Sequence, residues 1–155
     1  MDISIKKILC PVDFSETSDY ALRYAVAFAS AYDAELELFN VLEPPVLPPY
    51  STGGIPDLSQ AIERIKQDSR QRLDELVEKS RKSHPRTVGR MLVGTPFLEI
   101  INRARDGKFD LIVVGTHGRA GLKHVLMGSV AERVVRKAPC PVLSVKHPGH
   151  EFVMP

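Results

Sequence analysis

The chain has 155 residues, of which 43% are hydrophobic and 26% are charged, a composition that predicts one globular domain with its own core. Its 21 basic residues nearly balance 19 acidic ones, so the net charge of +2 gives no basis for binding nucleic acid. No segment approaches the roughly 18 consecutive apolar residues of a membrane span, and Pro11 and Asp13 interrupt the first apolar run too early for a signal peptide. We therefore expect a cytoplasmic protein with no nucleic-acid or membrane partner.

The first forty residues predict a strand, a helix and a second strand. An apolar run over residues 6–12 leads through a turn into a helix with Ser15 as N-cap and with Glu16 and Asp19 in its first turn. The helix is expected to run to residue 32, with an apolar stripe formed by Ala21, Ala25, Phe28, Ala29 and Tyr32. Residues 35–41 alternate between polar and apolar side chains, which predicts the second strand.

Residues 43–56 contain five prolines and two glycines and cannot form a helix or an inner strand. A linker between two domains is the alternative, but about forty preceding residues are too few for an independent core. We interpret the segment as a surface loop. A long helix is expected over residues 57–83, with a buried face made of Leu58, Ile62, Ile65, Leu73, Leu76 and Val77 and a solvated charged face.

The rest of the chain predicts three more strands and two more helices. Residues 87–93 form the third strand, and Pro96 begins a short helix that Gly107 ends. The inward side chains of that helix are expected to be Phe97, Ile100, Ile101 and Ala104. Residues 109–114 form the fourth strand, 129–137 the fourth helix and 141–145 the fifth strand. Residues 1–147 then make one domain, and residues 148–155 form a tail without periodicity.

Five strands that alternate with four helices predict an α/β fold, in which a single open parallel sheet is covered by helices on both faces. Right-handed crossovers place the carboxyl ends of all strands at one edge of that sheet. Ligands in such folds bind at this edge, where the strand order reverses.

The two cysteines are expected to be free thiols. Cys10 lies near the carboxyl end of the first strand, whereas Cys140 lies at the start of the fifth, at the opposite edge of a parallel sheet. A disulfide needs Cα atoms within about 7 Å, which this placement does not provide.

The stretch from Asp110 to Val130 has the order strand, glycine-rich loop, helix. Such an order suits a phosphate, because a helix start carries unpaired N–H groups and glycines let the backbone approach a ligand closely. Glycines recur in the loop, and the residues between them include basic side chains and no acid: Gly115, His117, Gly118, Arg119, Gly121, Lys123, His124 and Gly128. The plainer reading is a long loop that Ser129 caps.

The spacing Gly115, two residues, Gly118, nine residues, Gly128-Ser129 resembles the ATP-binding branch of the universal stress protein family. The opening segment Ile8-Leu9-Cys10-Pro11-Val12-Asp13 and the closing segments Ser129-Val130-Ala131-Glu132 and Cys140-Pro141-Val142-Leu143 are also similar to that family. The resemblance implies a Rossmann-like fold, similar to the adenine nucleotide alpha hydrolases, with strand order 3-2-1-4-5. The order would then reverse between the first and fourth strands.

The resemblance also implies a nucleotide site with ATP as ligand, AMP and ADP as alternatives and Mg²⁺ as an accompanying ion. Its residues would be Pro11, Val12, Asp13 and Val41 for the adenosine, and Gly115, Thr116, His117, Gly118, Arg119, Gly128, Ser129 and Val130 for the phosphates. Five of these residues also have a purely structural interpretation. Pro11, Val12 and Val41 serve equally as core or turn residues, and Asp13 and Ser129 as helix caps.

Two function classes remain open. In the first, the protein is a nucleotide-dependent stress-response regulator that acts through dimer or partner contacts, and in the second it is a slow ATPase or autokinase with Thr116 or Ser129 as phosphate acceptor. We assign no catalytic and no metal-binding residue, because the sequence lacks clear metal ligands and a group that orients a nucleophile. The fifth strand, apolar until Lys146, predicts a homodimer through this edge, and a further protein partner is unidentified.

Overall fold

Residues 3–44, 56–117 and 127–149 are described by the computed structural model of the chain. Strands and helices alternate without exception, and most of the sequence-predicted bounds agree within two residues. The elements are β1 (Lys7–Pro11), α1 (Glu16–Tyr32), β2 (Glu35–Leu42), α2 (Pro56–Arg81), β3 (Thr87–Val93), α3 (Pro96–Asp106), β4 (Leu111–Gly115), α4 (Ser129–Lys137) and β5 (Val142–Val145). Most of the proline-rich loop, the middle of the glycine-rich loop and the end of the tail lie outside the described residues.

The five strands form one parallel sheet in the order β3-β2-β1-β4-β5, which confirms the predicted fold class and strand order. β1 lies at the centre, with Ile8 paired to Leu36 of β2 on one side and to Leu111 of β4 on the other. The chain leaves β1 toward β2 and β3, then returns to the other side of β1 for β4 and β5. The strand order therefore reverses at β1 and β4, where an α/β sheet opens a crevice.

The two faces of the sheet carry separate cores. One core contains α1 and α2 side chains, among them Ala21, Ala25, Leu73 and Val77, and the other contains α3 and α4 side chains, among them Ile100 and Val134. The alanines let α1 lie close to β1 and β4, since a methyl group keeps the helix backbone near the sheet. Both faces of the central strands are buried as a result.

Two residues assigned to buried faces are exposed. Tyr32 is 44% exposed, because it is the last residue of α1 and stacks on Phe28 with ring centroids 6.2 Å apart instead of entering the core. Ile65 is 49% exposed, because α2 has 26 residues and is therefore roughly 39 Å long. That length exceeds the length of the strands, so the buried residues of α2, including Leu73 and Val77, lie in its later turns.

The alternating pattern of β2 conceals a buried charge. Glu37 lies on the α3 face of the strand with its side chain 7% exposed, and Arg103 of α3 donates to its two carboxylate oxygens at 2.7 and 2.5 Å. Arg90 of β3 adds a more distant contact at 3.4 Å. The hydrogen bond to Glu37 raises the pKa of Arg103, so the guanidinium stays charged throughout the neutral range.

Both cysteines are free thiols, as predicted. Burial raises the pKa of Cys10 to about 12, and burial together with the charge of Asp110 raises the pKa of Cys140. Thiolates are the reactive form, so neither side chain suits redox chemistry at neutral pH. No described helix has the length and hydropathy needed to cross a membrane.

Candidate functional site

A cleft of about 580 Å³ opens at the carboxyl edge of the sheet, beside β1. Its volume lies within the range of small-molecule sites, roughly 300–1,000 Å³. The walls come from the ends of β1, β2 and β4, from the N-terminal parts of α1, α3 and α4, and from Ser69 of α2. The lining residues are Pro11, Val12, Asp13, Ser18, Phe39, Asn40, Val41, Leu42, Glu43, Pro44, Ser69, Pro96, Ile100, Val114, Gly115, Thr116, His117, Gly128, Ser129, Val130 and Ala131.

A tight turn after β1 forms the floor of the cleft. Asp13 Oδ1 accepts hydrogen bonds from the backbone N–H and the hydroxyl of Ser15 at 3.0 and 2.6 Å, and Asp13 N–H donates to Ser18 Oγ at 3.2 Å. Phe14, between them, has a left-handed backbone with φ of 64°, a strained conformation that the surrounding turn maintains. Asp13 therefore stabilises the turn before α1 and is not a helix cap, the alternative that the sequence left open, whereas Ser15 is the N-cap of α1 as predicted.

The end of β2 supplies an apolar wall. Val41 is half-buried and packs against the α3/α4 core, in which Phe39 and Ile100 are almost fully buried. Pro96 begins α3 beside them. An apolar wall of this kind suits the ring of a base, whereas the polar end of a ligand requires a different part of the cleft.

The ends of the glycine-rich loop meet above β4. Gly128 N–H donates to the carbonyl oxygen of Thr116 at 2.6 Å, which closes the loop where it began. Thr116 is fully buried, and its hydroxyl lies 3.0 Å from His117 Nδ1. Gly115 has a packing reason of its own, because a Cβ there would lie 3.0 Å from the carbonyl oxygen of Thr17.

The N-terminus of α4 lines the cleft. Gly128 is the N-cap, with φ of −67° and ψ of 154°, and it carries no side-chain cap. The first bond within the helix runs from Glu132 N–H to Gly128 O at 3.0 Å, so the N–H groups of Ser129, Val130 and Ala131 come before the first intrahelical hydrogen bond. This turn therefore concentrates partial positive charge and donors on the cleft.

The structure corrects two assignments at this turn. Ser129 is the first helical residue and not the N-cap, because Gly128 already has the extended backbone of a cap. The N–H of Gly128 is not free for a phosphate either, because it is bonded to Thr116. The N–H groups that come before the first intrahelical bond belong to the three residues after Gly128.

All the predicted site residues that the structure describes line this one cleft. Pro11, Val12, Asp13 and Val41 form the β1 and β2 side, and Gly115, Thr116, His117, Gly128, Ser129 and Val130 form the β4 and α4 side. Gly118 and Arg119 lie outside the described residues. Within the part of the chain that the structure describes, His117 is the one basic lining residue, and no cluster of three or more His, Cys, Asp or Glu side chains could hold a metal.

Sequence reasoning missed the polar residues on the α1 and α2 side of the cleft. Ser18, Asn40 and Ser69 line it and are all buried. Asn40 carried a usable signal, because it is an uncharged polar residue in a strand that is otherwise buried at this point. Ser18 and Ser69 gave none, since serine is common in helices on exposed faces.

Comparisons of sequence and of structure relate this chain to universal stress proteins. A sequence model of the universal stress protein family matches residues 4–146. Universal stress protein MJ0531 of Methanocaldococcus jannaschii is 36% identical over 146 residues, which cover 94% of this chain and 85% of that protein. The solved structure of universal stress protein UspA from Lactobacillus plantarum has a TM-score of 0.82 at 25% identity, covering 93% of this chain and 99% of that one.

Two further structures of the same fold are complexes with nucleotides. A universal stress protein in complex with cAMP has a TM-score of 0.65 at 24% identity, covering 92% of this chain and 97% of that one. The universal stress protein of Archaeoglobus fulgidus in complex with dAMP has a TM-score of 0.61 at 23% identity, covering 94% and 100%. These TM-scores show a common fold.

Proposed function

This chain belongs to the universal stress protein family, and on that premise we propose that it binds an adenine nucleotide in the cleft beside β1. Adenosine lies against Pro11, Val12, Asp13 and Val41, and the phosphates lie at the first turn of α4. The ligand is ATP, with AMP and ADP in the same position and Mg²⁺ as a companion of the longer phosphate chains. Proteins of this fold have been solved with cAMP and dAMP, so the fold accommodates such ligands.

The observation that carries the proposal is the first turn of α4. The N–H groups of Ser129, Val130 and Ala131 come before the first hydrogen bond within α4, these three residues line the cleft, and the helix dipole adds positive potential there. The apolar wall at the end of β2 lies two strands away from β4, the strand that precedes α4. A phosphate at one end and a flat apolar ring at the other match that arrangement.

The role that we propose is regulation in the cytoplasm, in which nucleotide occupancy alters contacts with a second copy or with a protein partner. The strands and helices that line the cleft also carry the two cores, so a ligand in the cleft would affect how these elements pack. The alternative of an autokinase finds little support at Thr116, because its side chain is fully buried. Ser129 is exposed and is the better acceptor if the protein modifies itself.

Removing one backbone donor of α4 tests the phosphate position. Proline is compatible with the first helical position, and Gly128 already has the extended conformation that precedes a proline. Ser129→Pro therefore deletes one N–H without breaking the helix. We expect its affinity for AMP, ADP and ATP to fall roughly 10- to 100-fold in calorimetric titration, as for a lost hydrogen bond to a charged group.

The matched control is Ser129→Ala, which removes the hydroxyl but keeps the N–H. If the hydroxyl merely lies nearby, this variant binds like the wild type. Equal affinity in wild type and Ser129→Pro would refute the placement of phosphate at α4. Repeating the titrations with and without Mg²⁺ shows whether the ion accompanies ADP and ATP.

We also propose that the chain forms a homodimer through β5. This strand is the edge of the sheet next to β4, and its apolar side chains Val142 and Leu143 are only half-buried. An apolar edge of this kind favours pairing with a second copy. Such a dimer would place β5 of both copies between two nucleotide clefts.

Proline at Ser144 tests the dimer without removing a hydrogen bond within the sheet, whereas proline at Leu143 would remove one. The N–H groups of Ile112 and Thr116 donate to the carbonyls of Pro141 and Val145, so by the two-residue period of a parallel ladder Leu143 also bonds toward β4. The N–H of Ser144 therefore points to the free edge. We expect Ser144→Pro to sediment as a monomer and Ser144→Ala as a dimer. An unchanged dimer in Ser144→Pro would place the interface elsewhere.

A further inference from the structure

One buried polar side chain in the cleft is only half satisfied. Asn40 of β2 is 4% exposed, and its Nδ2 donates to the carbonyl oxygen of Val12 at 2.8 Å. Since a carbonyl can only accept, this contact decides which end of the amide is the nitrogen. The other end, Oδ1, is buried and accepts no hydrogen bond from any residue that the structure describes.

An acceptor in this position is unfavourable unless something donates to it. Buried side-chain oxygens are nearly always hydrogen-bonded in native proteins, and an unpaired one keeps its full desolvation cost. A leucine in place of Asn40 would avoid that cost, as Leu36 and Leu38 do on the same face of β2. Asn40 is also a lining residue of the cleft, so a bound molecule is a natural source of the missing donor.

The strand order indicates which part of a nucleotide reaches Asn40. α4 follows β4, and β1 and then β2 lie beyond β4 in the sheet. A ligand with its phosphate at α4 that extends along the carboxyl edge arrives at β2 after two strand spacings, roughly 10 Å. The base is the end of a nucleotide farthest from its phosphates, whereas the ribose lies between them, beside β1.

We infer that Asn40 determines specificity for adenine: its Oδ1 accepts a hydrogen bond from the exocyclic 6-amino group of the base. This inference rests on the proposed function, because it assumes a nucleotide in the cleft. A 6-oxo purine presents an acceptor at the same position, so the contact selects against it. Because Oδ1 is shielded in the free chain, the base displaces neighbouring side chains slightly as it enters, a common adjustment on binding.

Calorimetric titration with AMP and with purine riboside 5′-monophosphate, which lacks only the 6-amino group, measures this contact. The wild type is expected to bind AMP roughly 10- to 100-fold more tightly. In Asn40→Leu, whose side chain is similar in size but has no amide, the preference is expected to fall to about twofold or less. Asn102→Leu on α3, outside the cleft, is the matched control and should keep the wild-type preference.

Equal affinity of the wild type for the two ligands overturns the inference, as does an undiminished preference in folded Asn40→Leu. The inference is also overturned if Asn40→Leu loses a preference for AMP over dAMP but keeps the preference for AMP over purine riboside 5′-monophosphate. That result would show that Oδ1 contacts the ribose. If circular dichroism shows that Asn40→Leu does not fold, the same titrations on Asn40→Ala and on the wild type test the inference. Failure of the proposed function looks different, because the wild type then binds no AMP, ADP or ATP.

Discussion

Replacing Ser129 with aspartate is expected to abolish nucleotide binding while leaving the fold intact. Ser129 is the first residue of α4, and its side chain is exposed at the mouth of the cleft. A carboxylate at a helix N-terminus stabilises the helix by about 0.3–1 kcal/mol, so the melting temperature should stay the same or rise. The same carboxylate occupies the positive end of the helix and repels a phosphate there.

We expect the affinity for AMP to fall at least roughly 100-fold in Ser129→Asp, because adjacent like charges cost several kcal/mol. The loss should increase from AMP to ATP as the ligand gains charge. Ser129→Asn, which is nearly the same size and neutral, is the matched control and should lose about tenfold at most. Equal affinities in the aspartate and asparagine variants would show that phosphate does not lie at the N-terminus of α4.

Arg103→Ala is expected to have the largest effect on stability. The guanidinium donates to both oxygens of Glu37, whose side chain is 7% exposed, and it lies 5.2 Å from the Phe109 ring. Removing it leaves a buried carboxylate with one weaker partner, Arg90. Breaking a buried pair costs about 3–5 kcal/mol, and because Arg103 is itself 25% exposed we expect the lower end, about 3 kcal/mol, in chemical denaturation.

Arg90→Ala is the control for charge alone. Its side chain is 51% exposed and its contact with Glu37 is 3.4 Å, so the loss should stay below about 1 kcal/mol. The double variant Glu37→Leu with Arg103→Leu removes both charges and should recover much of the stability lost in Arg103→Ala, because no uncompensated charge remains. Similar losses in Arg103→Ala and Arg90→Ala would contradict a dominant buried pair.

The helices and strands were readable from the sequence because their signals are local. Ser15 with Glu16 and Asp19 marks the start of α1, and the capping geometry agrees. The errors arose where the outcome depends on neighbouring elements. Ile65 continues the apolar period of α2, yet it is exposed because that helix is longer than the sheet on which it packs.

The candidate site also combines features that local sequence predicts with features that depend on neighbouring elements. The glycine spacing and the strand–loop–helix order predict a phosphate-binding region, and the described residues of that region line one cleft. The caps were less predictable, because Ser and Gly are both acceptable N-caps and only the backbone angles show that Gly128 takes that position. The engagement of its N–H with Thr116 depends on how the loop closes.

By itself, the sequence determined the order of the elements, the parallel sheet and the family, and it predicted the edge of the sheet at which a ligand would bind. Those properties follow from periodicity and from motifs that act over a few residues. The tertiary structure alone decided that Glu37 is buried against Arg103 and that Asn40 keeps an unpaired oxygen beside the cleft. Both depend on contacts between residues at least 28 positions apart along the chain, and no local pattern records which side chains such packing will bring together.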